Sequence, residues 1–283
     1  MFDPRRATLR YGLASGRCLG VAWLSLGSAA IAETIARAKP DGIVIDLQHG
    51  LWERRELEAA IGLVPFNVPV IARVAENSAF AIGAALDAGA EAVMVPLIEN
   101  AKQAEKAVSY AKYPPHGIRS GGGVRPLSNF VDYVEGSDKI VVIVMIETAE
   151  GARNAREIAA VDGVDMVFIG TGDLSLSLGV FPDSSHDHTK ACADIHEACK
   201  KAWTPCGIFT PNLELAKIRR SQGYRMVVTT NDADLIARGA QQAATSFAAP
   251  VPKSTEEHEV IEAKPSNSPS RPQPAPKQIR GRS

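Results

Sequence analysis

The chain has 283 residues, 45% of them hydrophobic, with 31 basic against 32 acidic side chains. A formal net charge of −1 supplies no long-range field for nucleic acid or anionic lipid, so neither is an expected partner. No run of about 18 uncharged apolar residues occurs to span a membrane, and Met1-Phe2-Asp3-Pro4-Arg5-Arg6 leads into no secretory signal.

Short β-branched runs alternate with amphipathic stretches of helical length, the pattern of parallel βα units. Strands are expected at Leu19–Leu24, Gly42–Asp46, Val68–Arg73, Ala92–Pro96, Ile140–Glu147, Met166–Ile169, Cys206–Phe209 and Met226–Thr229. Helices are expected between them, among others at Ala29–Ala38, Arg54–Leu63, Ala79–Asp87, Ala101–Ala111, Ala149–Ala159, Leu213–Gln222 and Ala233–Ser246. Runs such as Val141-Val142-Ile143-Val144 are apolar throughout, as strands covered on both faces must be. One connection is long. Tyr113 to Lys139 contains Gly121-Gly122-Gly123, and a loop of that length is usually functional or mobile, so it is expected to help set substrate length. The triplet reads as flexible backbone, with anion binding beside Arg119 and Arg125 as the second reading.

From Pro250 onward come seven of the 18 prolines, and no aromatic residue follows Phe247. Such a segment cannot bury enough apolar surface to offset its ordering entropy, so residues 250–283 are expected to be a disordered Pro/Ser/charged tail. Residues 1–249 then match the size of one α/β domain, a (β/α)8 TIM barrel. Four cysteines, Cys18, Cys192, Cys199 and Cys206, make no disulfide framework in a chain this large, and a reducing cytoplasm is the expected setting.

Polar residues gather at the carboxyl ends of these strands, the face on which barrels build active sites. Asp46, Gln48 and His49 follow the second strand and Arg73 ends the third. Glu147 ends the fifth, and Gly170-Thr171-Gly172-Asp173 follows the sixth. Two carboxylates at neighbouring strand mouths, Glu147 and Asp173, suit a hard divalent cation such as Mg²⁺ or Mn²⁺, with Co²⁺ or Zn²⁺ as alternatives. The competing reading makes Glu147 a helix cap and Asp173 the partner of a barrel lysine. Arg73 offers a guanidinium fork to a carboxylate or an enolate oxygen, or else forms a rim ion pair. Asp46 and His49, three residues apart on one turn, have the spacing of an oriented general base, although a lone His near a strand end often serves structure. The glycines around Thr171 bring bare amides close to a ligand and suit a carboxylate. His186, His188, Cys192, His196 and Cys199 invite a zinc reading, which their distance from the strand ends disfavours.

In order, Ile45-Asp46-Leu47-Gln48-His49-Gly50, Val70-Ile71-Ala72-Arg73, Asp87-Ala88-Gly89-Ala90, Tyr113-Pro114-Pro115-His116-Gly117-Ile118-Arg119, Ile146-Glu147-Thr148 and Phe168-Ile169-Gly170-Thr171-Gly172-Asp173-Leu174-Ser175 resemble the HpcH/HpaI aldolase family, the metal-dependent class II pyruvate aldolases. The resemblance runs from about Gly20 to Phe247. It implies that Glu147 and Asp173 ligate the metal, that Arg73 stabilises an enolate oxygen, and that His49, oriented by Asp46, manages protons through a metal-bound water. The backbone at Gly172 and Asp173 would receive the carboxylate of a small 2-oxo acid. It also implies a homohexamer whose barrels exchange a C-terminal helix, here Asp232–Phe247.

Three positions depart from the family pattern. Gln48 replaces a Glu, Met145 replaces a Gln, and Thr171 replaces a Pro. The first two resemble a branch that accepts hydroxypyruvate as well as pyruvate, and Gln48 is accordingly a candidate substrate-binding residue. The expected reaction is reversible cleavage of a 4-hydroxy-2-oxo acid into pyruvate or hydroxypyruvate and an aldehyde. The competing readings are an oxaloacetate decarboxylase or CoA-ester lyase on the same scaffold, and a non-catalytic barrel whose Pro-rich tail binds a partner.

Overall fold

The apolar runs pair in parallel and close on themselves. In the computed structural model, which describes residues 8–182 and 186–249, eight strands form a closed barrel in chain order. They are β1 (Leu19–Leu24), β2 (Gly42–Asp46), β3 (Val70–Arg73), β4 (Ala92–Val95), β5 (Val141–Ile146), β6 (Met166–Ile169), β7 (Cys206–Ile208) and β8 (Met226–Asn231). Helices separate consecutive strands, giving the expected (β/α)8 barrel. Contacts divide the chain into two units, residues 1–242, which hold the barrel, and residues 243–283. Of the second, residues 243–249 are described, and 243–248 are helical. The expected tail, residues 250–283, lies outside the described residues. No helix among the described residues is long and apolar enough to cross a membrane.

Alternation decides which side chains fill the barrel. Val21, Trp23, Val44, Ile71, Met94, Ile143, Met145, Met166, Phe168 and Val228 form the interior cluster. Their neighbours Ala22, Leu24, Ile43, Ile45, Ala72, Val142 and Val144 pack outward in the cluster that includes the helices. This is why the strands carry no polar face.

A seven-residue helix that the sequence pattern did not announce, Thr8–Ala14, closes the amino-terminal end. Leu9 and Leu13 join the interior cluster. The buried Glu91 accepts from the Thr8 hydroxyl and the Leu9 amide, capping the helix from outside it. Arg10 adds a two-pronged pair with Asp165 at 2.9 and 3.0 Å.

The connection Tyr113–Lys139 lies away from its own chain's cavity. It leaves a helix and enters a strand, so it belongs to the amino-terminal face, and none of its residues lines the cavity at the strands' carboxyl ends. It contains the short helices Val124–Leu127 and Phe130–Glu135. Arg119 is buried beneath it, bonded to Asp87 and the Tyr133 hydroxyl and stacked on the Tyr113 ring at 4.8 Å. Arg125 donates to the carbonyls of Ala88 and Glu58. Arg125 and the Nη2 of Arg119 hold the connection down, while Nε and Nη1 of Arg119 are buried without a hydrogen-bond partner among the described residues.

Candidate active site

Register puts Asp46 beside Arg73, since the two are Cα partners across β2 and β3. Each lies two residues beyond an interior side chain, Val44 and Ile71, so both enter the barrel rather than the helix layer. There they form a buried bidentate pair, Nε to Oδ1 at 2.8 Å and Nη2 to Oδ2 at 2.5 Å. The Trp23 indole donates to Oδ2 at 3.2 Å, and the Arg73 guanidinium lies 4.9 Å from that ring's centroid. Burial pushes the Asp46 carboxyl up, but the Arg73 bonds and charge, with the His49 amide and the Trp23 indole, hold it below its ordinary value. Arg73 Nη1 has no hydrogen-bond partner among the described residues and remains free for a ligand.

The same parity carries Glu147 inward above Met145, immediately past β5. Its side chain is 1% exposed. Oε1 accepts from the Leu97 amide at 2.8 Å, while Oε2 is buried with no partner. Leu97 takes a left-handed conformation, φ 56°, that turns its amide toward this carboxylate. Burial, with the charges of Asp173 and Asp46 adding to it, pushes the Glu147 carboxyl up to about 7 against the opposing Leu97 bond and Arg73 charge. Asp173 is half-buried in the first turn of the helix Thr171–Ser177 and lines the same cavity. Neither competing structural role is found: Thr148 caps the helix after β5, and Asp173 makes no ion pair among the described residues.

These groups line a cavity of about 330 Å³ at the carboxyl ends of the strands. It brings together Asp46, His49, Arg73, Glu147, Gly172 and Asp173. Two expectations change. Asp46 accepts from the backbone amide of His49 at 3.1 Å and not from its ring, so it fixes the turn that carries His49 while its charge is spent on Arg73. Gln48 does not line the cavity; its backbone N–H donates to Asp46, and its side-chain Oε1 is buried without a partner.

Trp23, Ser25, Leu176, Phe181, Phe209 and Asn231 also line the cavity and were not singled out from the sequence. Ser25 and Phe209 directly follow β1 and β7, and Asn231 ends β8. The strand-end rule that found Glu147 therefore contains these three as well. Trp23 and Phe209 meet edge to face at 5.4 Å. The His188 ring bonds the Thr171 carbonyl at 3.0 Å, steadying the turn that holds Asp173. His196 stacks on Tyr224 at 4.1 Å.

Among the described residues no group of three or more His, Cys, Asp or Glu converges on a metal position. Glu147 and Asp173 line one cavity, and a pair of carboxylates is a donor set that leaves a dication's remaining positions to water and substrate. An unpartnered carboxylate oxygen, buried beside a second carboxylate, fits a divalent cation.

A sequence model of the HpcH/HpaI aldolase/citrate lyase family matches residues 20–238. The chain is 36% identical over 233 residues to a hydroxypyruvate/pyruvate aldolase of Paraburkholderia phytofirmans, covering 78% of this chain and 90% of that one. It is 34% identical over 232 residues to a 4-hydroxy-2-oxo-heptane-1,7-dioate aldolase of Klebsiella pneumoniae, covering 80% and 88%. The crystal structure of an HpcH/HpaI aldolase/citrate lyase family protein from Burkholderia cenocepacia superposes with a TM-score of 0.81 at 32% identity, covering 86% of this chain and 99% of that chain.

Proposed function

The chain belongs to the HpcH/HpaI aldolase/citrate lyase family, and we propose that it is a carbon–carbon lyase that reversibly cleaves a 4-hydroxy-2-oxo acid into pyruvate or hydroxypyruvate and an aldehyde. The observation that carries this reading is the buried, open Oε2 of Glu147 beside Asp173, with a free Arg73 nitrogen lining the same cavity. The family is generally dependent on a divalent metal. Glu147 and Asp173 would hold it, and oxygen-only ligands favour Mg²⁺ or Mn²⁺ over Co²⁺ or Zn²⁺. Bound there, the cation supplies electrophilic stabilisation of negative charge on the keto oxygen.

The remaining work falls to the chain's own residues. His49 accepts the proton of the 4-hydroxyl as the C3–C4 bond breaks and the aldehyde departs, and the same proton is returned from His49 to the carbanion at C3, leaving His49 as it began. Arg73 Nη1 donates to the keto oxygen as it becomes enolate, while Asp46 keeps the guanidinium plane fixed so that little reorganisation is needed. The backbone at Gly172 and Asp173 receives the 2-oxo acid's carboxylate. Trp23 and Phe209 wall the cavity with apolar surface, which strengthens each of these charge contacts. No lysine is among the described residues lining the cavity, so no Schiff base is invoked. Met145, 2% exposed, lines the same cavity with a thioether in place of the family's amide, which supports acceptance of hydroxypyruvate.

The helix that begins at Asp232 is exposed from Leu235 onward and presents Leu235 and Ile236 to solvent. That surface supports assembly with further copies of the chain, a hexamer by family resemblance, which light scattering reads directly. Cys18, Cys192, Cys199 and Cys206 are free thiols, in keeping with a reducing cytoplasm.

The test is proton exchange. With pyruvate, Mg²⁺ or Mn²⁺ and D₂O, the protein should erase the methyl proton signal, and Glu147→Gln or Asp173→Asn should stop it. Absence of exchange, or exchange that survives both substitutions, overturns the reading.

A further inference from the structure

Resting on the aldolase reading, we infer that the aldehyde partner is uncharged, with an apolar or aromatic substituent, and that Leu176 and Phe181 select it. Among the described residues, the charged side chains lining the cavity are Asp46, Glu147 and Asp173 against a single cation, Arg73. The Arg73 charge is matched by Asp46 through their two paired bonds, and its remaining nitrogen faces the keto oxygen of the donor rather than the aldehyde's substituent. A dication would offset Glu147 and Asp173, and the carboxylate of the 2-oxo acid then leaves the loaded cavity negative. A second carboxylate or a phosphate on the aldehyde would add like charge where no lysine or further arginine among the described lining residues answers it.

The rim supplies the complementary argument. Leu176 and Phe181 line the cavity yet are 57% and 61% exposed. Large apolar side chains left open at the mouth of a charged site are surface that a bound substituent would cover, and their burial favours an apolar one. Leu176 stands three residues after Asp173 on one helix, so the two share a face. The apolar contact is therefore adjacent to the carboxylate that organises the donor. Ser25 and Asn231, polar and neutral, leave room for a hydroxyl on the aldehyde without demanding charge.

The experiment pairs butanal with 4-oxobutanoate, aldehydes of equal chain length that differ by a terminal carboxylate. Addition of each to pyruvate is measured at low ionic strength, alongside deuterium exchange into pyruvate without any aldehyde. Butanal should show a kcat/KM at least about tenfold higher, with benzaldehyde also accepted, and added salt should narrow the ratio because the discrimination is between charges. Leu176→Lys or Phe181→Lys should lower the ratio by raising turnover of 4-oxobutanoate. Binding without turnover, read by quenching of tryptophan emission in metal-free protein, should rank the two aldehydes the same way. Equal or better use of 4-oxobutanoate with exchange intact overturns this inference alone, as does a ratio that neither lysine variant moves. Loss of exchange itself overturns the aldolase reading and this inference with it.

Discussion

Gly170 lies opposite Glu147 at a distance that excludes any side chain: a Cβ at residue 170 would stand 2.3 Å from Glu147 Oε2 and 2.9 Å from its Cβ. The pairing of Ile146 with Ile169 on β5 and β6 produces this opposition, because the next residues along are Glu147 and Gly170. The glycine is there for space, its φ of −85° being open to any residue. Gly170→Ala should displace the carboxylate, weaken Mn²⁺ binding by about 10–100-fold and cost about 1–3 kcal/mol of stability. A Mn²⁺ titration and urea unfolding check both.

The raised Glu147 carboxyl has a pH consequence with a definite sign. Native protein holds this proton up to about 7, whereas the unfolded chain releases it near 4.5. Over that window the native state binds more protons, so the stability of metal-free protein should fall as pH rises and level off above 7. The upper bound is about 3 kcal/mol. A divalent cation requires the ionised form, so its stabilising effect should grow between pH 6 and 8. Glu147→Gln should remove both the slope and the metal effect, as urea unfolding across pH 5–8 will show.

Asp46 and Arg73 separate stability from chemistry. Asp46→Ala strands a buried guanidinium and should cost about 3–5 kcal/mol. Arg73→Lys keeps a charge but loses the planar fork, and should lower the rate of pyruvate exchange about 100-fold. The depressed Asp46 carboxyl contributes stability that is present above its ordinary value and lost as pH falls below about 4. Acid unfolding of Asp46→Asn should lack that component.

The helix Thr8–Ala14 gives a control far from the chemistry. Leu9→Ala removes a side chain that is 1% exposed and should cost about 2–5 kcal/mol by opening a cavity. Exchange kinetics below the melting temperature should be unchanged.

Much of this barrel was legible in the sequence because its strands are buried on both sides, and an uninterrupted apolar run has few other uses. β1, β2 and β6 have the bounds their runs predict, and the other strands differ by one or two residues. The site was legible for the same reason: a polar residue closing an apolar strand must face the barrel mouth. Thr8–Ala14 is not legible, since so short a helix is held by the distant Glu91 and by the interior it fills. Length alone does not say which face Tyr113–Lys139 lies on; its helix-to-strand direction assigns it to the face opposite its own chain's cavity. The partner of the Asp46 carboxylate was misassigned too. Neighbours in sequence suggested His49, whereas strand register gives Arg73.

The central claim, that Glu147 and Asp173 together hold the dication that activates the oxo acid, is tested most directly by anomalous scattering from crystals of the full chain grown with Mn²⁺ and pyruvate. One strong peak is expected within bonding distance of Glu147 Oε2 and an Asp173 carboxylate oxygen, with pyruvate against it. A peak elsewhere, or none at saturating Mn²⁺, would contradict it.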